Sequence, residues 1–190
     1  MKKQILKVGF DLDGVLLYNP ARIIRPIISL IKKSFIKKKG LNFYFPHTHW
    51  EKQLWRLFHK SSIFIAPGLE DIKKLIRTKK IKAYIITARY SYLKNDLEKW
   101  LNKIDIGHYF AGVFYNEKDE QPHLFKERTI KKLNLDIFVE DNWDIVNYLK
   151  NKKLKSKIYW IYNIFDRNYS YSDKFPNLKS TVKKIKEIIK

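Results

Sequence analysis

The sequence predicts an α/β protein with a doubly wound, mainly parallel, five-stranded Rossmann-like sheet and a small helical insert after the first strand. Three observations predict it. Short apolar runs alternate with amphipathic segments, the pattern of a parallel sheet wrapped by helices. Three of the runs stop at polar residues, Asp11, Thr87 and the pair Glu140-Asp141, and such sheets bind ligands beyond the carboxyl ends of their strands. The 190 residues, 45% hydrophobic and 15% aromatic, suffice for one core plus a modest insert and exclude a disordered chain.

The elements follow in chain order. A first strand covers Ile5 to Phe10 and ends at Asp11. Between Tyr18 and Ala66 no strand pattern occurs. Ile23 to Ile36 is amphipathic with Pro26 near its start, Lys37-Lys38-Lys39-Gly40 reads as a stop, and Trp50 to Phe58 reads as a second helix. We therefore expect residues 1–18 and 67–190 to form the core and 19–66 a helical cap. Pro67-Gly68-Leu69-Glu70 opens a helix continuing through Ile72, Leu75 and Ile76. A second strand, Ala83 to Ile86, ends at Thr87. Ser91 to Leu101 then carries Leu93, Leu97, Trp100 and Leu101 on one helical face. Strands near Val113 to Tyr115, at Ile137 to Val139 and at Ile158 to Tyr162 alternate with helices at Lys126 to Leu133, Trp143 to Leu149 and Thr181 to Ile189.

Phe10-Asp11-Leu12-Asp13-Gly14-Val15 is the strongest chemical signal. Two carboxylates two residues apart, just past a buried strand, can enter one pocket while Leu12 turns away, and Gly14 permits a sharp bend. Such a pair suits magnesium, a hard cation that takes one or two carboxylates, waters and substrate phosphate. The plainer alternative is an acidic turn after a strand.

Taken with three further stretches, this motif resembles the haloacid-dehalogenase-like hydrolase superfamily, most of whose members are phosphatases. Ile85-Ile86-Thr87-Ala88-Arg89 is similar to its second motif, a Ser or Thr ending a core strand. Lys126 in Phe125-Lys126-Glu127-Arg128 is similar to the third, a lysine opening a later helix, and Phe138-Val139-Glu140-Asp141 to the fourth, an acidic pair. The resemblance implies that Asp11 attacks phosphorus and forms an aspartyl-phosphate, and that Asp13 serves as general acid and base. It implies a Mg2+ cofactor held by Asp11, Asp13 (through its carbonyl) and Asp141, and phosphate binding by Thr87, Ala88, Arg89 and Lys126. Glu140 is a lesser metal candidate, and Asp144 is either an outer partner of the metal or a helix-start charge. Because the stretch from Asp11 to Thr87 is much longer than that from Thr87 to Lys126, the cap is the type inserted after the first motif. Ile-Thr-Ala-Arg and the Glu-Asp pair followed by Tyr162-Asn163 also resemble the deoxyribonucleotidase branch.

Within the insert, Phe43, Tyr44, Phe45, Trp50, Trp55 and Phe58 can form a cap core or stack on a base, and His47-Thr48-His49 is a weak metal motif. Composition adds broader limits. Forty basic and 19 acidic residues leave a net charge of +21, which favours anionic partners (a small phosphorylated substrate, nucleic acid or an anionic surface), the plainer alternative being lysines that simply solvate the surface. Lys32, Lys33 and Lys37 to Lys39 are a candidate steering patch. The absence of cysteine excludes disulfides, thiolate nucleophiles and cysteine-ligated metals. No apolar run reaches membrane-spanning length, and the apolar run after Met1-Lys2-Lys3 is broken by Lys7, so a cytoplasmic location without a secretory signal is expected. Oligomeric state carries no signature. The expected activity is a magnesium-dependent phosphomonoesterase acting on small metabolites such as nucleoside monophosphates. The rival readings are a phosphatase of nucleic-acid ends and a basic binding protein on an inactive fold.

Overall fold

Every strand pair of the central sheet is parallel. The computed structural model describes residues 5–18, 41–60, 62 and 64–189. The chain enters through β1 (Leu6–Phe10) and a two-residue strand β2 (Leu17–Tyr18), which pairs antiparallel with β3 (Phe64–Ile65). The remaining strands are β4 (Ile81–Tyr90), β5 (Val113–Asn116), β6 (Ile137–Glu140), β7 (Lys157–Ile161) and β8 (Lys174–Phe175). Their order in the sheet is β5-β4-β1-β6-β7-β8. The connections run outward on either side of β1, which makes its carboxyl end the topological switch point.

Six α-helices lie among the described residues: α1 (His49–Lys60), α2 (Leu69–Arg77), α3 (Lys94–Lys103), α4 (Pro122–Leu133), α5 (Trp143–Lys150) and α6 (Leu178–Ile188). The strands alternate between two core layers, as a pleat of period two requires. Val8, Phe10, Ile81, Ala83, Ile85, Ile137, Val139, Tyr159 and Ile161 join the layer under α2, α3 and α6. Tyr84, Ile86, Phe138, Ile158 and Trp160 join the layer under α4 and α5. Gly9 sits where this second layer presses on β1: a Cβ there would lie 2.5 Å from a Leu135 methyl, so any larger residue must displace that side chain.

Several bounds differ from expectation for local reasons. The sheet has six strands and not five, because β8 is a two-residue edge pairing beside β7 that carries no run of its own. Helix α4 begins at Pro122 and not at Lys126: proline suits the first helical position, and His123, Phe125 and Lys126 all face inward. The expected helix after β4 opens with a single 3-10 turn at Ser91–Leu93 before α3. Strand β4 continues past Thr87 to Tyr90, with an irregularity in its pairing to β5 over that stretch. The helix expected over Ile23 to Ile36 and the lysines 32, 33 and 37–39 lie outside the described residues.

The described part of the insert is fastened to the core. Thr48 and Glu51 form a capping box at the start of α1: the Glu51 N–H donates to the Thr48 hydroxyl at 3.2 Å and the Thr48 N–H to the Glu51 carboxylate at 2.9 Å. The Gln121 amide bonds both the N–H and the carbonyl of Phe43, the Tyr90 hydroxyl donates to the Tyr44 carbonyl, and Arg56 meets Asp96 of α3 at 2.7 Å.

Candidate active site

Pairing register brings the acidic residues together. Phe10 is level with Ile85 of β4 and with Val139 of β6, so one residue further Asp11 is level with Ile86 and Glu140, and Thr87 and Asp141 lie one step beyond. The Asp11 N–H donates to the Val139 carbonyl at 2.9 Å. After Asp11 the chain stops being a strand. The Leu12 N–H turns back to the Asp11 carboxylate at 2.8 Å, the Leu17 N–H reaches the Leu12 carbonyl, and Gly14 takes φ +88°. That conformation is unfavourable for any residue with a Cβ, and a Cβ on Gly14 would lie 2.3 Å from an Asp141 oxygen.

This turn separates the two carboxylates expected to share a pocket. Asp11 faces Lys126, whose ammonium is 3.0 Å from Asp11 and 2.5 Å from Glu140. Asp13 faces Arg89, whose Nε and Nη2 each reach a different carboxylate oxygen at 2.8 Å. His59, at the end of α1, adds Nδ1 at 3.4 Å from Asp13. Lys126 is therefore brought into the site, although from the second turn of α4 and not from its start. Arg89 is brought in too, but onto Asp13. Thr87 is buried within β4, three residues before its end, its hydroxyl accepting from the Arg89 N–H at 3.4 Å, and Ala88 packs into the core layer under α4 and α5.

Asp11, Glu140 and Asp141 form the one group of potential metal ligands among the described residues, with ligand oxygens within 4.8 Å of one another. The Asp13 carboxylate is outside this group, turned away by its fork with Arg89. Glu140 accepts from the Asp141 and Asn142 N–H groups as well as from Lys126. The buried Trp160 indole donates to the Asp141 carbonyl and fixes that residue's backbone. Asp144 does not join: its N–H is bonded by the Asn142 cap, and it serves as a charge in the first turn of α5. His47 and His49 are exposed, and no second metal-ligating group involves them among the described residues.

Electrostatics divide the site into two halves. Burial pushes Asp11 up to about 6 and Glu140 up to about 8, with Lys126 opposing both. Burial disfavours the Lys126 ammonium, yet Asp11 and Glu140 outweigh it and hold the lysine charged. One ammonium cannot balance three buried carboxylates, so the group is short of positive charge and suits a hard divalent cation. For Asp13 the balance is reversed: burial would raise it, but the Arg89 guanidinium holds it well below the usual carboxylate range, helped by His59.

Sequence reasoning missed two residues. His59 reaches Asp13 from the insert, and His123, buried between Phe43 and Tyr148, has no hydrogen-bond partner at Nδ1 among the described residues. Neither sits in a motif, and both placements depend on how the insert folds back on the core. Trp55 packs with Tyr44 and Phe58, so part of the aromatic stretch is an internal cluster, whereas Trp50 is 75% exposed.

No family model matches the chain, and no curated protein matches it. Solved structures do. A HAD-superfamily hydrolase from Ehrlichia chaffeensis superposes with a TM-score of 0.54 at 13% identity, covering 100% of both chains. YfnB from Bacillus subtilis, bound to magnesium, gives 0.58 at 12% identity over 98% of this chain and 99% of its own. CbbY from Rhodobacter sphaeroides, in complex with phosphate, gives 0.58 at 10% identity over 93% and 96%. At such identities the likeness concerns architecture: the chain has the haloacid-dehalogenase-like hydrolase fold.

Proposed function

We propose that the protein is a magnesium-dependent phosphomonoesterase that works through an aspartyl-phosphate and acts on small phosphorylated metabolites, nucleoside monophosphates first among them. The observation that carries this reading is that Asp11 lies beside Asp141 and pairs with Lys126 just beyond the carboxyl ends of β1 and β6, with Thr87 of the neighbouring β4 one step along in the register. An oxygen of Asp11 attacks phosphorus, the new Asp11–phosphorus bond forms, and the bond to the leaving oxygen breaks. Asp13 protonates the leaving oxygen, then takes a proton from the water that cleaves the aspartyl-phosphate. Thr87 and Lys126 hold the transferring oxygens, where charge spreads in the transition state, with main-chain support at Ala88. Asp11, Asp141 and the Asp13 carbonyl, with Glu140 beside them, would hold magnesium, which would supply positive charge between an anionic nucleophile and an anionic phosphate.

On this reading residues 19–66 form a cap that selects the leaving group, and the reaction takes place in the cytoplasm. The test is phosphate release from nucleoside monophosphates, sugar phosphates and end-phosphorylated oligonucleotides, the last included because of the +21 charge. We expect release that needs magnesium, is abolished by chelator and falls at least about 10³-fold in Asp11→Asn. Absence of release from every substrate by folded protein would overturn the proposal.

A further inference from the structure

Strand β6 stops at Glu140, so Asp141, the next residue, is no longer part of the strand. Side chains take over there. The Asp141 N–H donates to the Glu140 carboxylate at 3.2 Å, and the Asp141 carbonyl accepts from the Trp160 indole at 3.2 Å. Both main-chain groups of this residue are therefore held, one from its own strand and one from β7. Its carboxylate lies against Gly14, close enough to leave no space for a Cβ at that glycine.

Trp160 is built to keep this contact. It is level with Glu140 in the register of β6 and β7, so the two side chains stand on the same face, and an indole is long enough to reach one residue further. It is fully buried, with its ring centroid 4.4 Å from that of Trp143, 6.1 Å from Tyr162, 6.2 Å from Tyr169 and 6.3 Å from Tyr171. Trp143 is in turn stacked on Tyr169, and the Tyr171 hydroxyl donates to the Ile158 carbonyl of β7 at 2.6 Å. A ring so enclosed cannot change rotamer without displacing its neighbours. Packing accounts for the ring but not for the N–H, a donor with no acceptor capacity that needs a partner when buried. The partner it has is the backbone of a residue in the acidic group.

We propose that Trp160 is a positioning residue for the cation: acting through the Asp141 main chain, it holds the Asp141 carboxylate beside Asp11 before any cation arrives, and so sets the affinity of the acidic group for magnesium. This rests on the magnesium-dependent reading above. Buried carboxylates repel one another, and an Asp141 that was not held would turn away from Asp11. Part of the binding energy of the cation would then go into ordering the ligand, a cost that a fixed peptide removes.

The test is calorimetry of the full-length protein with magnesium chloride alone. In Trp160→Phe, which keeps an aromatic ring and removes the N–H, the dissociation constant should rise about 10-fold or more, whereas Trp143→Phe, which thins the same aromatic cluster and spares the Asp141 contact, should stay within about 2-fold of wild type. Thermal unfolding is read alongside, because a purely structural role lowers Tm and leaves the dissociation constant where it was. If Trp160→Phe binds magnesium like wild type, or if both variants weaken alike, the indole only packs and the inference is overturned. If the wild type binds no magnesium, the magnesium-dependent reading itself falls, and the inference with it. Should Trp160→Phe fail to fold, replacing Trp160 by the benzothiophene analogue of tryptophan keeps the fused-ring shape and removes the N–H alone, and the same rise in dissociation constant decides.

Discussion

The acidic centre is set by single residues that leave no room for substitution. Lys126 is the cation shared by Asp11 and Glu140. Lys126→Met leaves two buried carboxylates without it and should cost about 3–5 kcal/mol, read by chemical denaturation in the absence of metal. The pH dependence has a definite sign. Asp11 and Glu140 ionise near their ordinary values when unfolded but are raised to about 6 and about 8 when folded, so the native protein holds more protons between those limits. Stability from these groups therefore falls as pH rises through about 4 to about 8. A cation that favours the ionised forms offsets the loss, so the Tm increase on adding magnesium should grow from about pH 5 to about pH 8 and vanish in Asp141→Asn. Asp13 behaves oppositely: its stabilisation is fully present above the unfolded carboxylate value and is lost only in strong acid. Asp11 and Asp141 were legible because they follow strand ends that runs of apolar residues mark, whereas Thr87, read as a strand end, lies three residues inside β4. The sequence did not reveal that Asp11 and Asp13 diverge, since that depends on a turn in which Leu12 bonds back to Asp11 and Gly14 takes a left-handed conformation. Nor could it pair Arg89 with Asp13, a contact made only when β4 lies beside β1.

At the scale of elements, β6 is joined to α5 through an Asn142 cap that directly follows Asp141. Asn142 follows Asp141 and accepts from the Asp144 N–H at 3.0 Å. Asn142→Ala should destabilise the protein by about 1 kcal/mol and weaken magnesium binding, measured by calorimetry, because the cap and the ligand are adjacent. Gly9→Ala tests the opposite face of β1: its Cβ would overlap Leu135, and the expected loss is about 1–3 kcal/mol by the same denaturation measurement. Long periodic segments such as α2 and α3 were legible from spacing. The two-residue strands β2, β3 and β8 were not, because they are held by pairing and carry no pattern of their own. Helix α4 was read late, since its buried first turn contains Pro122 and His123, neither of which signals an apolar face.

Among the described residues the charge is spread and not gathered. Lys73, Lys74 and Arg77 lie on α2, Lys183, Lys184 and Lys186 on α6, and Lys131 and Lys132 on α4, so basic residues cover both faces of the sheet. Such a field attracts anions without defining a groove for one of them. For a small phosphorylated substrate, kcat/KM should therefore fall about 3–10-fold between low and high salt while kcat changes little, as steady-state kinetics at two ionic strengths will show. No described helix is long and apolar enough to cross a membrane.

Strand β1 is made first but is flanked on both sides by strands made later: Val8 is level with Ala83 on one side and with Ile137 on the other. During synthesis on the ribosome, Asp11 and Asp13 must wait in water for β4 to deliver Thr87 and Arg89, and then for α4 and β6 to deliver Lys126, Glu140 and Asp141. The half-built chain has Asp11 but neither Lys126 nor Glu140 and Asp141. The acidic group is therefore complete only once β6 is made, and a nascent chain that stalls before β6 holds Asp11 without its buried companions.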